Sequence, residues 1–285
     1  MRQKIFKKQE MKKKDFYAWF KRTLTEVGWE NISSKPSTDF DVFYSKGESG
    51  SDELYFQIKE YYDSSTTNTL SGSNERFFDI RLLKKYTPGE PGTAGIFDRK
   101  NDIMYRLQIA AGTITPETDM TVYYNVNKNR IIFMTEFPIG IKENSVLNMI
   151  GKPDEHIAKY YPDGSMMYFA TTALNGIAFA LDEADSTRKA MFGIATHEMI
   201  TPRVKNSSGM FFMSEFSVKL SSEIKALIDG VYVLADDFTF NTNANRGDIL
   251  IDKDGNKYQI FYLTTRSSTA YYYYDVTRYM ALRIE

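Results

Sequence analysis

The segment Asp15-Phe-Tyr-Ala-Trp-Phe-Lys-Arg-Thr-Leu-Thr-Glu-Val-Gly28 decides how the first part of the chain folds. Its apolar residues recur every three or four positions, at Phe16, Phe20, Leu24 and Val27. This spacing places them on one face of an amphipathic helix. An Asp carboxylate accepts the free N–H groups of a first helical turn, and Gly commonly ends a helix. We therefore predict a helix over residues 15–28 that buries this face.

Beyond this helix the period of the apolar residues changes to two. Two runs alternate in this way: Leu54, Phe56 and Ile58, then Phe78, Ile80 and Leu82. Such alternation is typical of strands with one buried and one solvated face. The pair Asp254-Gly255 lies between two further apolar runs and is the strongest hairpin signal in the chain. The pattern predicts a β-rich α+β fold with mostly antiparallel sheets, on which the N-terminal helix packs.

Two short segments favour helix over strand. Residues 145–150 precede Gly151 and Pro153, and residues 222–228 precede Gly230, which are residues that end helices. We expect a few short helices, with residues 145–150 as a candidate helix and residues 222–228 as a short helix or turn. The chain then divides into a basic N-terminal arm at residues 1–14, an α+β domain at residues 15–142, and a β-rich second half at residues 143–285. Strands of this second half could return to the first domain.

The composition excludes several functional classes. The 285 residues carry 36 Lys and Arg against 37 Asp and Glu, with two His and no Cys. Nucleic-acid binding requires many basic residues to neutralise phosphates, so this balance argues against it. The lack of cysteine excludes disulfides, Cys-ligated zinc, iron–sulfur clusters and thiol nucleophiles. Since no run of about 18 apolar residues occurs, the sequence predicts no membrane span. We expect no cofactor and no bound metal.

The candidate motifs for catalysis or metal binding fail on residue type or spacing. His197 begins the zinc motif H-E-x-x-H, but Thr201 stands where the second His belongs. A calcium loop with Gly255 at its sharp turn requires oxygen ligands at positions that are Leu250 and Phe261 here. The sequence therefore indicates a protein that is not an enzyme. An unrecognised Asp/Glu pair is the one remaining route to hydrolysis.

Residues suited to a protein interface occur in the basic N-terminal segment, in two polar loops and in tyrosine clusters. The basic segment is expected either to dock on a negatively charged neighbour or to remain a frayed end, and its removal is expected to leave the fold intact. Polar loops order on binding, and exposed Tyr offers a large contact area, although cross-strand packing also explains Tyr in strands. The candidate interface residues are Lys12, Lys13, Lys14, Lys46, Glu48, Tyr61, Tyr62, Tyr271, Tyr272, Tyr273 and Tyr274, with the loops at residues 45–51 and 63–74.

Two parts of the chain resemble virion structural proteins of tailed bacteriophages, the group of neck, tail-terminator and baseplate components. The first part lies within residues 16–58 and contains Val27-Gly-Trp-Glu30, Asp41-Val-Phe-Tyr-Ser-Lys-Gly-Glu-Ser-Gly50 and Glu53-Leu-Tyr-Phe-Gln-Ile58. The second part closes the chain and contains Gly247-Asp-Ile-Leu-Ile251, the turn at residues 253–256, residues 258–263 and Tyr279-Met-Ala-Leu-Arg-Ile284.

This resemblance implies a protein without catalytic activity, synthesised in the host cytoplasm and then incorporated into the virion. Proteins of this group form rings with copies of themselves and with adjacent neck, tail or baseplate proteins, through sheet edges, loops and terminal arms. We therefore expect a ring component of the tail-terminator or connector kind. The alternative is a baseplate or receptor-binding accessory module that recognises a glycan of the host surface through residues 271–274.

Overall fold

The computed structural model describes residues 5–34, 40–60, 77–98, 105–109, 114–138, 145–152, 166–170, 178–179, 213–220, 223–234, 247–262 and 279–285. In chain order the elements are β1 (Lys7–Lys12), α1 (Phe16–Glu26), β2 (Glu30–Asn31), β3 (Asp41–Ser45), β4 (Leu54–Glu60), β5 (Phe77–Leu83), β6 (Lys85–Thr87), β7 (Ile96–Asp98), β8 (Tyr105–Gln108), β9 (Asp119–Val126), β10 (Arg130–Glu136), β11 (Ser145–Gly151), β12 (Met167–Ala170), β13 (Ala178–Phe179), β14 (Met213–Leu220), β15 (Glu223–Leu234), β16 (Ile249–Ile251), β17 (Lys257–Tyr262) and β18 (Tyr279–Arg283).

These strands form three antiparallel sheets and the two-stranded ribbon β6-β7. We name the sheets by position: the central sheet has the order β1-β9-β10-β11-β12-β13, the helix-side sheet has the order β2-β3-β4-β5-β8, and the C-terminal sheet has the order β14-β15-β18-β17-β16. The β-rich antiparallel architecture with an N-terminal helix is thus confirmed. Because β11 pairs with β10, residues beyond 142 extend a sheet that begins in the first half of the chain.

The helix α1 packs between two of the sheets. The Phe16 ring lies 5.6 Å from the ring of Phe78 in the helix-side sheet and 5.6 Å from that of Phe133 in the central sheet. The helix is slightly shorter than predicted, because Lys13–Asp15 form a 3₁₀ turn before it. Asp15 already has helical dihedral angles (φ −89°, ψ −8°), and its side chain caps no N–H group.

Both faces of the central sheet are covered. On one face its residues share a core with α1 and the helix-side sheet. On the other face, Tyr123 and Ile132 pack against Phe261 and Leu282 of the C-terminal sheet, and the Tyr123 and Phe261 rings are 4.7 Å apart. The described chain is therefore built in three layers, with the central sheet as the shared one.

The helix expected at residues 145–150 and the short helix or turn expected at residues 222–228 are both wrong. The first segment is part of strand β11, all of whose residues are buried, and residues 223–228 of the second lie in the long strand β15. In β11 both sheet faces are covered, so the run is apolar on both sides and shows no alternation. Pairing of β15 with β14 and β18 overrides the local preference for a helix. Within the described ranges α1 is the only α-helix.

The described part of the basic N-terminal segment, residues 5–14, is not a frayed end. Residues 7–12 form β1, which pairs with β9 along its whole length. Phe6 is buried, and its N–H donates to the Arg283 carbonyl in β18 (2.8 Å). Removing residues 1–14 would take away an edge strand together with the buried Phe6 side chain, so we do not expect this deletion to leave the fold intact.

We predict that Phe16→Ala lowers the free energy of unfolding by about 3–5 kcal/mol, because the ring fills the space between two sheets. Arg22→Ala is the matched control, since that side chain is exposed on the same helix (66%). Its effect should stay within about 0.5 kcal/mol. Urea denaturation of both variants measures the difference, and equal effects would contradict this packing role of α1.

Candidate assembly surface

The edge strands of two sheets lie near one another at one side of the molecule. β1 is the last strand of the central sheet, and β16 is the last strand of the C-terminal sheet. Between them lies a cleft of about 410 Å³, lined by Glu10 and Met11 of β1, by Glu136 of β10 and by Gly247 just before β16. We call β1, β16 and this cleft the two-edge surface.

The charged residues that line the cleft are acidic, and lysines of β1 pair with two of them. Glu10, Thr121 and Glu136 lie side by side across three strands, and Asp119 also lines the cleft. Lys8 pairs with Glu10 and Lys12 pairs with Asp119, both at 2.6 Å between nitrogen and oxygen. The hydrogen bond from Lys8 to Glu10 raises the pKa of that lysine. Two of the three carboxylates are thus held by lysines of the edge strand.

The three N-terminal lysines have different environments. Lys12 and Lys14 are on the surface, where Lys14 binds Glu117 at 2.7 Å. Lys13 is completely buried, which corrects its assignment as an interface residue, since no partner can contact its side chain. It is buried because the chain turns inward there, with its N–H bonded to the Thr118 carbonyl (2.9 Å).

The loop at residues 45–51 lies away from the two-edge surface and is ordered by its own chain. Ser45 Oγ donates to the Lys128 carbonyl (2.6 Å), and the Glu48 N–H donates to Asn129 Oδ1 (2.7 Å). Next to the loop, the buried Asp52 pairs with Lys152 at 2.8 Å. Lys46 and Glu48 are exposed. The loop is therefore ordered by contacts within its own chain.

The remaining interface candidates lie outside the described residues. They are Tyr61, Tyr62, Tyr271, Tyr272, Tyr273, Tyr274 and the loop at residues 63–74.

Sequence reasoning missed the exposed isoleucines of β16. Ile249 and Ile251 are 43% and 66% exposed, although isoleucine usually lies in a core. Gln259 lies on the face of the C-terminal sheet that is turned toward the central sheet, because its Nε2 donates to the Tyr123 hydroxyl (2.7 Å). Ile249 is paired directly opposite Gln259, and Ile251 is two residues further along the strand, so both isoleucines lie on that same face. The short run Ile-Leu-Ile beside a hairpin turn was the available signal, but it predicted a strand without indicating that the strand is an edge.

The hairpin that carries β16 is fixed by one carboxylate. Asp252 Oδ1 accepts the N–H groups of Asp254 and Asn256, both at 2.9 Å. Asp252 Oδ2 accepts the Asn256 side-chain N–H (2.6 Å) and the Tyr258 hydroxyl (2.9 Å). The predicted hairpin turn at Asp254-Gly255 is confirmed, since β16 pairs with β17 across it. All four donors to this carboxylate belong to the hairpin itself, so the carboxylate stabilises the turn.

Within the described ranges, no three His, Cys, Asp or Glu side chains are grouped so that they could hold a metal ion. Across those same residues, no helix combines the length and apolar character that crossing a membrane requires. Comparison with family models, with curated proteins and with solved structures finds no match to this chain.

We predict that Gly47→Ala destabilises the protein more than Gly50→Ala. Both residues have positive φ (66° and 76°), which costs an alanine about 1–2 kcal/mol. At Gly47 the added Cβ also collides with the Asp52 carboxylate, which Lys152 holds in place, whereas no atom lies within 4 Å at Gly50. The collision should add about 1–3 kcal/mol, measurable by thermal or urea unfolding. Equal losses would contradict the described loop packing.

We predict that Asp252 titrates abnormally low. Its hydrogen bond from the Asn256 side chain, followed by backbone and Tyr258 bonds, lowers its pKa to about 2. Because the folded pKa is below the ordinary value of about 3.9, the carboxylate stabilises the hairpin above about pH 4, and this contribution is lost as the pH falls toward about 2.

An NMR titration of the Asp252 carboxyl carbon measures this pKa directly. Asn256→Ala removes the largest cause, so the pKa should rise toward the ordinary value in that variant. A midpoint near 4 in the unmodified protein would contradict the bonding described for the hairpin.

Proposed function

We propose that the protein is a non-enzymatic structural component of a tailed-phage virion. It assembles with copies of itself, and with adjacent neck or tail proteins, into a ring of the tail-terminator or connector kind. The observation that carries this proposal is the two-edge surface, where exposed isoleucines lie on an open edge strand. The sequence resemblance to neck, tail-terminator and baseplate proteins supports the same class.

Among the described strands only β17 pairs with β16, so the outer side of the β16 backbone is open to strand addition. The backbone groups of Asp248 and Asp252 point toward β17. The Ile260 N–H donates to the Asp248 carbonyl (3.0 Å), and the Asp252 N–H donates to the Asn256 carbonyl (3.1 Å). Because backbone groups alternate in direction along an antiparallel strand, those of Ile249 and Ile251 point away from β17. The same two residues therefore offer both backbone hydrogen bonds and apolar side chains to a neighbour.

An edge of this kind is a liability unless it is covered. Natural proteins protect open edges with charges, bulges or proline, and apolar edges lead to association. β16 carries none of these within its three residues, and its isoleucines remain exposed in the isolated chain. Burying one isoleucine side chain contributes about 1.5–3 kcal/mol, so covering both stabilises a contact appreciably. Assembly is the simplest reason for keeping such an edge.

The charges of the cleft fit docking better than catalysis. Hydrolysis by a carboxyl pair needs one protonated and one ionised group beside a substrate. Here Glu10 and Asp119 are each ion-paired with a lysine of β1, so both carboxylates are already engaged by their own chain. Paired charges at a rim also select among partners, because a wrong neighbour brings like charges together. No described residue favours the glycan-binding alternative, which depends on residues 271–274.

Two experiments test the class of protein and its assembly. Mass spectrometry of purified virions from a phage that encodes this chain should find it as a stoichiometric component. Negative-stain images and light scattering of the purified protein should show rings or smaller oligomers. Absence from the virion, or turnover of glycan substrates by the purified protein, would overturn the proposal.

We predict that the double variant Ile249→Thr/Ile251→Thr weakens assembly by about tenfold or more, because it removes apolar contact area while retaining a strand-forming residue. Ile96→Thr is the matched control, since Ile96 is 72% exposed on the β6-β7 ribbon, away from β16. Light scattering over a concentration series measures the change in oligomer mass. An unchanged mass in the double variant, or an equal loss in the control, would contradict a role for β16.

A further inference from the structure

The outer side of β1 is open along its charged part. Among the described strands none pairs with this side. The direction of its backbone groups follows from Lys13, whose N–H donates to the Thr118 carbonyl on the β9 side (2.9 Å). Since the direction alternates, odd-numbered residues of β1 face β9 and even-numbered residues face outward. Lys8, Glu10 and Lys12 therefore present their N–H and C=O groups to a neighbour.

One hydrogen bond limits this open edge, and a second occupies part of it. The Phe6 N–H, which points outward by the same alternation, already donates to the Arg283 carbonyl (2.8 Å). The C-terminal strand therefore covers the outer side at that position. Gln9 Nε2 donates to the outward Glu10 carbonyl (2.9 Å), an exposed bond that a pairing strand would replace. The open stretch consists of residues 8–12.

We propose that this edge pairs with β1 of a second copy, antiparallel about a two-fold axis through Gln9. In this register Lys8 lies opposite Glu10 of the second copy, and Glu10 lies opposite the second Lys8. These two residue pairs exchange four backbone hydrogen bonds, all within the open stretch. The inference rests on the proposed self-assembly and names the register of one two-fold contact in it, which is separate from the head-to-tail contacts that close a ring.

Charge and the extent of β1 together select this register over the alternatives. An axis through Glu10 places that residue against itself and Lys8 against Lys12, which sets like charges opposite one another. An axis through Met11 places residues 7–9 opposite the 3₁₀ turn at Lys13–Asp15, where no strand exists to pair with. With the axis through Gln9, residues 7–11 of each copy pair with residues of β1 in the other. Both Lys8–Glu10 pairs across the contact then join opposite charges.

Cross-linking through Gln9→Cys tests the axis directly. In the proposed pairing the two Gln9 residues form a non-hydrogen-bonded pair with Cα atoms about 4.5 Å apart, a separation that a disulfide spans. The chain has no other cysteine, so any disulfide must join two copies. Under mild oxidation we expect a covalent dimer on a non-reducing gel.

Lys7→Cys is the matched control, because Lys7 is exposed on the same face of β1. In this register its two copies are offset by four residues, roughly 13 Å along the strand, which is too far for a disulfide. A Gln9→Cys protein that stays reduced, or a Lys7→Cys protein that cross-links equally well, overturns the register.

Charge reversal tests the opposite pairs. Lys8→Glu and Glu10→Lys each place like charges opposite one another in a homodimer, and each should weaken pairing by about tenfold. A mixture of the two variants restores opposite charges at both positions and should recover association. The double variant Lys8→Glu/Glu10→Lys should recover it as well. Weakening in both single variants without recovery in the mixture overturns the charge assignment.

The result can be separated from the proposed function. A Gln9→Cys cross-link that persists in the Ile249→Thr/Ile251→Thr background supports pairing through β1 independently of β16. If the protein assembles but the Gln9→Cys variant never cross-links, the register is wrong while the proposed function stands. A protein that is monomeric in every variant and absent from virions overturns both.

Discussion

The central sheet is covered on both faces, and this constraint governs the rest of the molecule. Phe16 fixes α1 against one face through Phe133, and Phe261 covers the other face at Tyr123. A sheet buried on both faces meets solvent only at its edges and strand ends. In this protein the described edge at β1 lies beside the edge of the next layer at β16, with the cleft between them. Two of the described sheet edges are thereby placed near one cleft.

How much of this could be predicted depends on whether an element is buried on one face or two. α1 and β4 were predictable, because each buries one face and shows its period in the sequence. β11 was not, since burial on both faces removes the alternation that distinguishes a strand from a helix. β1 was missed for the opposite reason: Lys-Lys-Gln-Glu-Met-Lys is polar on both faces, and only pairing with β9, more than a hundred residues later, makes it a strand.

The candidate surface was harder to predict than the fold. The loop with Lys46 and Glu48 could be identified from its turn residues, because loop chemistry is local. The cleft brings Glu10, Glu136 and Gly247 together from distant parts of the chain, and this depends on the order of strands within sheets, which no local pattern encodes. The isoleucines of β16 looked like core residues for the same reason, since a sequence does not mark which strand ends a sheet.

The two edges differ in a way that makes physical sense for one assembly. β16 is apolar, so its burial against almost any apolar surface is favourable, and it discriminates little between partners. β1 is charged, and lysines on an edge normally prevent pairing with other strands. In β1 the residues whose backbone groups face outward alternate in sign, as Lys8, Glu10 and Lys12. A strand of uniform charge therefore meets repulsion at one or two of them, and the register centred on Glu10 brings like charges together. The same residues that protect the edge from indiscriminate pairing leave one register open to an identical strand, and that combination is consistent with the proposed self-assembly.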